Sequence, residues 1–332
     1  MSLHISISIS SDALHVDPYK TLSTYHEQIH QNAEALLEAE VIFLKEGKFD
    51  VVIVDATALA CMAAKRASIP CILLTNFTWD AIYRGILCEI KDQLPAETCS
   101  IYEAMIESCT EQYRCASYYF QLPGEMDPPL DFLAPITPLP LACRHNQVPR
   151  EVILERYKIS PEKNIVILGF GGQKSDASWR IKDSVLPENW VGLLLGATKS
   201  MLDSAASDEL EACKNIICIP QDEYIPDLIN AASCVIGKVG YGTVSECLYH
   251  GTPLIFIPRT YWPEGPPLER LLLKFNAGIR MSEEDFFGGK WGEYLAHALS
   301  VKNNWRTELS EQLNPEGALD FIYREIIKAI KS

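Results

Sequence analysis

From Ser2 to Ser10 apolar and polar residues alternate with a period of two, which predicts a strand with one solvated face. The period then changes. Leu22, Tyr25, Ile29, Ala33, Leu36, Leu37, Val41 and Leu44 fall at helical spacing between Thr21 and Glu46, and Gly47 follows as a stop. Phe49 to Val54 is a short β-rich run with Asp55 at its carboxyl end. Thr57 to Ala67 has a helical pattern, and Cys71 to Thr75 predicts a buried strand that ends at Asn76. Helical periodicity returns between Ala96 and Cys115, and Ser117 to Leu122 predicts another strand. Strands separated by helices in this way predict a parallel sheet.

Seven prolines between Pro123 and Pro149 interrupt the rhythm, and such a segment can continue neither a helix nor a central strand. Beyond it, short apolar runs at Asn164–Phe170, Val191–Leu195, Ile216–Ile219, Cys234–Gly237 and Leu254–Ile257 alternate with helical segments, as in an open doubly wound domain. A polar helix is expected from Ala318 to Lys331. The expectation is an α/β chain with two Rossmann-like domains, 1–122 and 150–332, joined by a proline-rich linker at 123–149. A length of 332 residues allows each domain its own core.

Charge narrows the range of functions. With 29 Lys and Arg against 44 Asp and Glu, the net charge of −15 repels nucleic acid at long range, although a local cationic pocket remains compatible with it. The 11 cysteines include no Cys-x-x-Cys pair and sit mostly in apolar runs, which suits reduced core thiols. The N-terminus lacks the pattern of a signal peptide and no apolar run reaches membrane-spanning length, so a cytoplasmic protein is expected.

The candidate chemistry gathers at strand ends. Gly237-Lys-Val-Gly-Tyr-Gly-Thr-Val-Ser-Glu246 joins a buried strand to a helix. Gly240 and Gly242 permit close approach of a ligand or a positive φ. The helix start favours an anion, to which Lys238 adds a full charge. Thr243 and Glu246 also have capping-box spacing, so a purely structural role for Glu246 stays open. A second glycine loop, Gly169-Phe-Gly171-Gly172, follows the first strand of the same domain, and Gln173 rules out a Walker A loop. Glu264, in Thr260-Tyr-Trp-Pro-Glu-Gly-Pro-Pro, can accept two hydrogen bonds from sugar hydroxyls. In the first half, Asn76 ends a strand and Trp79 offers a ring for sugar stacking, while Thr78 or Asp80 is a helix cap. The candidate bases are Asp55 and His15, the latter near Asp12 and Asp17. Asp-x-Asp, paired-cysteine spacing and Gly-x-Ser-x-Gly are missing from the sequence, and no metal and no cofactor are expected.

The stretch Ile236 to Leu268 resembles the donor-binding half of GT-B glycosyltransferases of the family-28 type. It is more similar still to the N-terminal glycosyltransferase-like region of L-arabinokinases. The shared features are Gly237 to Glu246, Pro253 to Arg259, the Pro-Glu-Gly-Pro-Pro loop, Leu168 to Gln173, and Asn76 to Tyr83. The resemblance implies that Glu246 binds the ribose of a uridine nucleotide. It further implies that Gly171, Gly172, Gly240 and Gly242 face the diphosphate with Thr243 beside it, and that the Glu264 loop reads donor-sugar hydroxyls. The implied activity is metal-independent, inverting transfer from a UDP-sugar to an acceptor hydroxyl. The sequence lacks the GHMP-kinase loop of L-arabinokinases and the leading Gly-His-Gly loop of the family. The first domain is therefore expected to be short at its start. A non-catalytic nucleotide-sugar-binding module is the alternative, ahead of a sugar kinase.

Overall fold

The computed structural model describes residues 14–126, 135–169, 185–196 and 215–331. The expected strand at Ser2–Ser10 and the glycines Gly171 and Gly172 lie outside the described residues.

The first domain holds four parallel strands, β1 (Val52–Val54), β2 (Cys71–Thr75), β3 (Tyr118–Gln121) and β4 (Ile136–Pro138), side by side in that order. Around them lie α1 (Pro18–Gln28), α2 (Ala33–Gly47), α3 (Ala58–Ala67), α4 (Trp79–Ile90) and α5 (Ala96–Tyr113). Two local expectations are corrected. The long helix from Thr21 to Glu46 breaks into α1 and α2, because a 3-10 turn at His30–Asn32 intervenes and the Asn32 side chain bonds the carbonyls of Glu27 and Gln28. The left-handed cap after α2 is Lys48, at φ 50°, and Gly47 is the last helical residue. The proline-rich segment contributes β4, which ends on Pro138 at the margin of the described sheet, where a missing N–H is tolerated.

The second domain opens with α6 (Arg150–Arg156) and contains β5 (Asn164–Gly169), β6 (Trp190–Leu195), β7 (Ile216–Ile219), β8 (Cys234–Lys238), β9 (Leu254–Ile257) and β10 (Gly278–Arg280). Its described helices continue with α7 (Ile225–Ala231), α8 (Tyr241–His250), α9 (Gly265–Lys274), α10 (Glu283–Phe287), α11 (Gly292–Val301), α12 (Arg306–Leu313) and α13 (Ala318–Lys331). The sheet order is β10-β9-β8-β5-β6-β7, all parallel. The chain fills one side of β5 and then returns to fill the other, so the crevice beyond the carboxyl ends of β5 and β8 is the topological switch point. Strand β10 had no distinct sequence signal, since three residues following a helix are too few to show a period.

Two features tie the domains together. Helix α13 presents Phe321, Ile322, Ile326 and Ala329 to Ile72, Phe120 and Leu122 of the first sheet, so the end of the chain packs on the opposite domain. At the other end, Leu14 belongs to the core of the second domain and Val16 to that of the first.

At the switch point β5 and β8 approach so closely that a Cβ on Gly237 would lie 2.2 Å from the carbonyl oxygen of Gly169. Replacing Gly237 with alanine is expected to cost about 1–3 kcal/mol by forcing the two strands apart. A lowered urea midpoint with an unchanged m-value checks this.

Candidate functional site

The β8–α8 turn builds the wall of the crevice. Gly240 is the N-cap of α8 in an extended conformation, φ −156°, and neither Gly240 nor Gly242 has a positive φ. A Cβ on either would meet nothing within 4 Å, so both glycines border open space. Of the two roles the sequence left open for them, the backbone does not require the positive φ. Val244 is the first residue of α8 to bond back, to the Gly240 carbonyl, which leaves the N–H groups of Tyr241, Gly242 and Thr243 at the positive end of the helix dipole. No side chain caps this end. The capping box is therefore not formed: the helix starts two residues ahead of Thr243, and Glu246 lies in its second turn.

Glu246 has another partner. It is 3% exposed, and its Oε1 accepts a hydrogen bond from Arg144 Nε at 2.6 Å. Arg144 comes from the proline-rich segment, 57% exposed at its side chain, with its guanidinium over the Tyr224 ring. Burial raises the Glu246 carboxyl above its ordinary range, and Arg144 opposes that rise. Gly169, Lys238, Gly240, Gly242, Thr243 and Glu246 line a cavity of about 700 Å³ at the switch point. Lys238 is pushed down to about 8, first by burial and then by the neighbouring Arg259, while Glu264 works the other way.

The loop after β9 reaches into the first domain. Trp262 is buried among first-domain side chains, and Pro263 sits against Gly85 of α4, where a Cβ would lie 2.5 Å from the proline ring. Glu264 is 5% exposed. Its Oε1 accepts from Asn76 Nδ2 at 2.9 Å and its Oε2 from Trp262 Nε1 at 3.1 Å. Two residues singled out separately, one from each domain, thus form one buried contact. Burial raises the Glu264 carboxyl, and its two hydrogen-bond donors, Arg259 and Lys238 counter that rise.

The remaining candidates lie apart from this cavity. Trp79 is 8% exposed, with its ring stacked on Tyr83 and edge-on to Phe77, so most of its surface is already packed in the core. Thr78 is the N-cap of α4 without a side-chain bond, and Asp80 instead accepts from Thr110, so neither provides the expected cap. Asp55 stands at the end of β1 with its carboxyl raised by burial and held back by a hydrogen bond with Thr75. The next residue, Ala56, has a left-handed φ of 59°, and its carbonyl is held by the Tyr113 hydroxyl at 2.5 Å. His15 pairs through its backbone with Thr260 of the second domain, and its Nε2 lies 3.4 Å from Glu283 Oε2. Among the described residues, no three His, Cys, Asp or Glu side chains gather as a metal site, and no helix is long and apolar enough to cross a membrane. Sequence reasoning missed Arg144 and Arg259, because neither lies in a glycine loop and each acts through a residue brought to it by the fold.

Two facing α/β domains, with a nucleotide-sized cavity at the switch point of the second, define the GT-B architecture of glycosyltransferases. The solved structures agree. A UDP-glucosyltransferase from Polygonum tinctorium superposes with a TM-score of 0.61 at 14% identity, over 94% of this chain and 82% of that one. Glycosyltransferase VinC, in complex with dTDP, gives 0.58 at 13% identity, over 99% of this chain and 86% of that one. Within the fold, residues 195–265 match the glycosyltransferase family 28 C-terminal domain. The chain is also 33% identical over 295 residues to the L-arabinokinase of Arabidopsis thaliana, a match spanning 89% of this chain and 26% of that protein. It therefore covers about a quarter of the length of the curated relative it matches.

The Arg144–Glu246 pair yields a pH-dependent expectation. A carboxyl whose folded pKa is raised contributes most below its unfolded value, and stability falls as pH rises through the folded one. Arg144→Met removes the opposing cation and raises Glu246 further. The substitution is expected to cost about 1–3 kcal/mol near neutral pH, toward the lower end because Arg144 is largely solvated, and less toward pH 4. Urea unfolding at the two pH values measures the difference.

Proposed function

We propose that the chain binds a nucleotide-diphosphate sugar, a UDP-sugar by resemblance, in the switch-point cavity and transfers the sugar to an acceptor hydroxyl. One observation carries this reading: the open N-terminus of α8, Lys238 and the buried Glu246 converge on a single cavity of about 700 Å³. In this reading the N–H groups of Tyr241, Gly242 and Thr243, with Lys238, take the diphosphate. Oε1 of Glu246 is held by Arg144, and its Oε2 is left for ribose hydroxyls. Both oxygens of Glu264 already accept hydrogen bonds, so in this reading its part is to fix the loop after β9.

Transfer would be a single inverting displacement. The acceptor oxygen bonds to the anomeric carbon as the bond to the diphosphate oxygen breaks, and a base takes the acceptor proton. The helix terminus and Lys238 stabilise the charge growing on the diphosphate, which removes the need for a metal. Asp55 and His15 are the candidate bases, and substituting each in a turnover assay separates them. The described cysteines are all free and many are buried, which supports a reducing, cytoplasmic setting.

Calorimetry with UDP tests the reading. Glu246→Gln is expected to weaken binding by about 1.5–3 kcal/mol through loss of charge-assisted hydrogen bonds. Chelator in excess should leave the affinity unchanged. A large loss on chelation would overturn the metal-free reading, and tight binding without turnover of any acceptor would favour a binding module.

Lys238 adds a pH signature. A lysine that loses its proton near 8 presents full charge only below that value. UDP affinity is expected to fall by several-fold between about pH 7 and about pH 8.5, and Lys238→Met should flatten the profile.

A further inference from the structure

Arg144 and Glu246 line the same cavity and touch each other, yet each has bonding capacity to spare. Arg144 uses only its Nε, on Oε1 of Glu246, and its two Nη groups have no hydrogen-bond partner among the described residues. Oε2 of Glu246 has none either, and it is not sealed from solvent, although the side chain as a whole is buried. A carboxylate oxygen held in a poorly solvated wall without a donor is costly, and a ligand hydroxyl can supply the donor.

Both side chains are held in place. The guanidinium of Arg144 lies over the Tyr224 ring, 5.6 Å from Cζ to centroid. The Tyr224 hydroxyl donates to the carbonyl of His145, the next residue along, and the N–H groups of Gln147 and Val148 donate to Asp227. The segment that carries Arg144 is thus tied to the start of α7. Glu246 is four residues beyond Gly242, on the same face of α8 and about 6 Å further along its axis. A group attached to a phosphate at the α8 terminus therefore comes level with Glu246 and Arg144.

On the proposed reading of this cavity as a nucleotide-diphosphate site, on which this inference rests, that group is the nucleotide's own sugar. We propose that Arg144 makes the cavity select a ribonucleotide over its 2′-deoxy form. Ribose carries two hydroxyls on adjacent carbons, and each can donate and accept. One donates to Oε2 of Glu246, and the other accepts from an Nη of Arg144. Because Arg144 already occupies Oε1, the carboxylate cannot clasp the two hydroxyls with separate oxygens, and the second hydroxyl falls to the guanidinium. A 2′-deoxyribose leaves one of the two protein partners unmet, and a site built to bond a hydroxyl rejects the analogue that lacks it.

The test titrates the full chain with UDP and with 2′-deoxy-UDP, by calorimetry, for the native protein, Arg144→Met and Arg144→Lys. The native protein is expected to bind UDP at least about tenfold tighter than 2′-deoxy-UDP, the size of one hydrogen bond to a charged group. Arg144→Met should remove most of that preference, with UDP losing more affinity than 2′-deoxy-UDP. Arg144→Lys keeps a charged donor without the fork and should retain part of the preference. Equal affinity of the native protein for the two nucleotides overturns the proposal. So does an Arg144→Met variant in which both lose affinity by the same factor, because Arg144 would then be a phosphate ligand or a structural partner of Glu246 alone. Failure of both nucleotides to bind the native protein would instead reject the nucleotide reading itself. A thermal melt of each variant shows that it is folded. Should Arg144→Met unfold, the native protein and Arg144→Lys decide between them: a preference undiminished in Arg144→Lys overturns the role of the guanidinium.

Discussion

The buried carboxylate of Glu264 is the constraint on which the relation of the two domains depends. It has left water, so it needs donors, and it finds one on each side: Asn76 at the end of β2 and the indole of Trp262 on its own loop. Those bonds hold the loop against the first domain, with Trp262 in that domain's core and Pro263 against α4. The loop also carries Arg259, whose plane rests on Trp262. The loop after β9 is therefore part of the seam between the domains.

Electrostatics give the seam a second aspect. The protein as a whole is strongly acidic, with a net charge of −15, yet its switch-point cavity is lined by Lys238, which has Arg259 as a neighbour, and by Arg144. Burial lowers Lys238 to about 8 and Arg259 to about 10, the direction expected when cations sit in a poorly solvated place. An acidic exterior discourages polyanions, while a cationic recess suits a small anion.

Much of the fold was legible in the sequence because short apolar strands and helical stripes have distinct periods. β2, β5, β9 and α13 fall close to where those periods place them. The failures have local causes. The break at His30–Asn32 depends on a side-chain bond to the backbone that hydrophobic spacing does not record, and β10 is too short to show a period. The glycine-rich turn was legible because glycines spaced two apart at a strand–helix junction stand out in the sequence, and in the fold they border open space. The partners of that motif were not. Arg144 meets Glu246 across 102 residues and Asn76 meets Glu264 across 188, and contacts at such separation arise from tertiary packing alone. The surface of Trp79 was misjudged for a related reason: an aromatic residue near a strand end looks available until Tyr83, one helical turn on, is seen to cover it.

The chain passes between the two sheets more than once. It crosses within Leu14 to Val16, again along the segment that carries Leu141 and Arg144, and again before α13 returns to the first sheet. A body joined to another by one strand can swivel freely; one joined at several separated points cannot twist without stretching a tether. Register between the halves is stored in the path of the backbone as well as in the side chains that meet there.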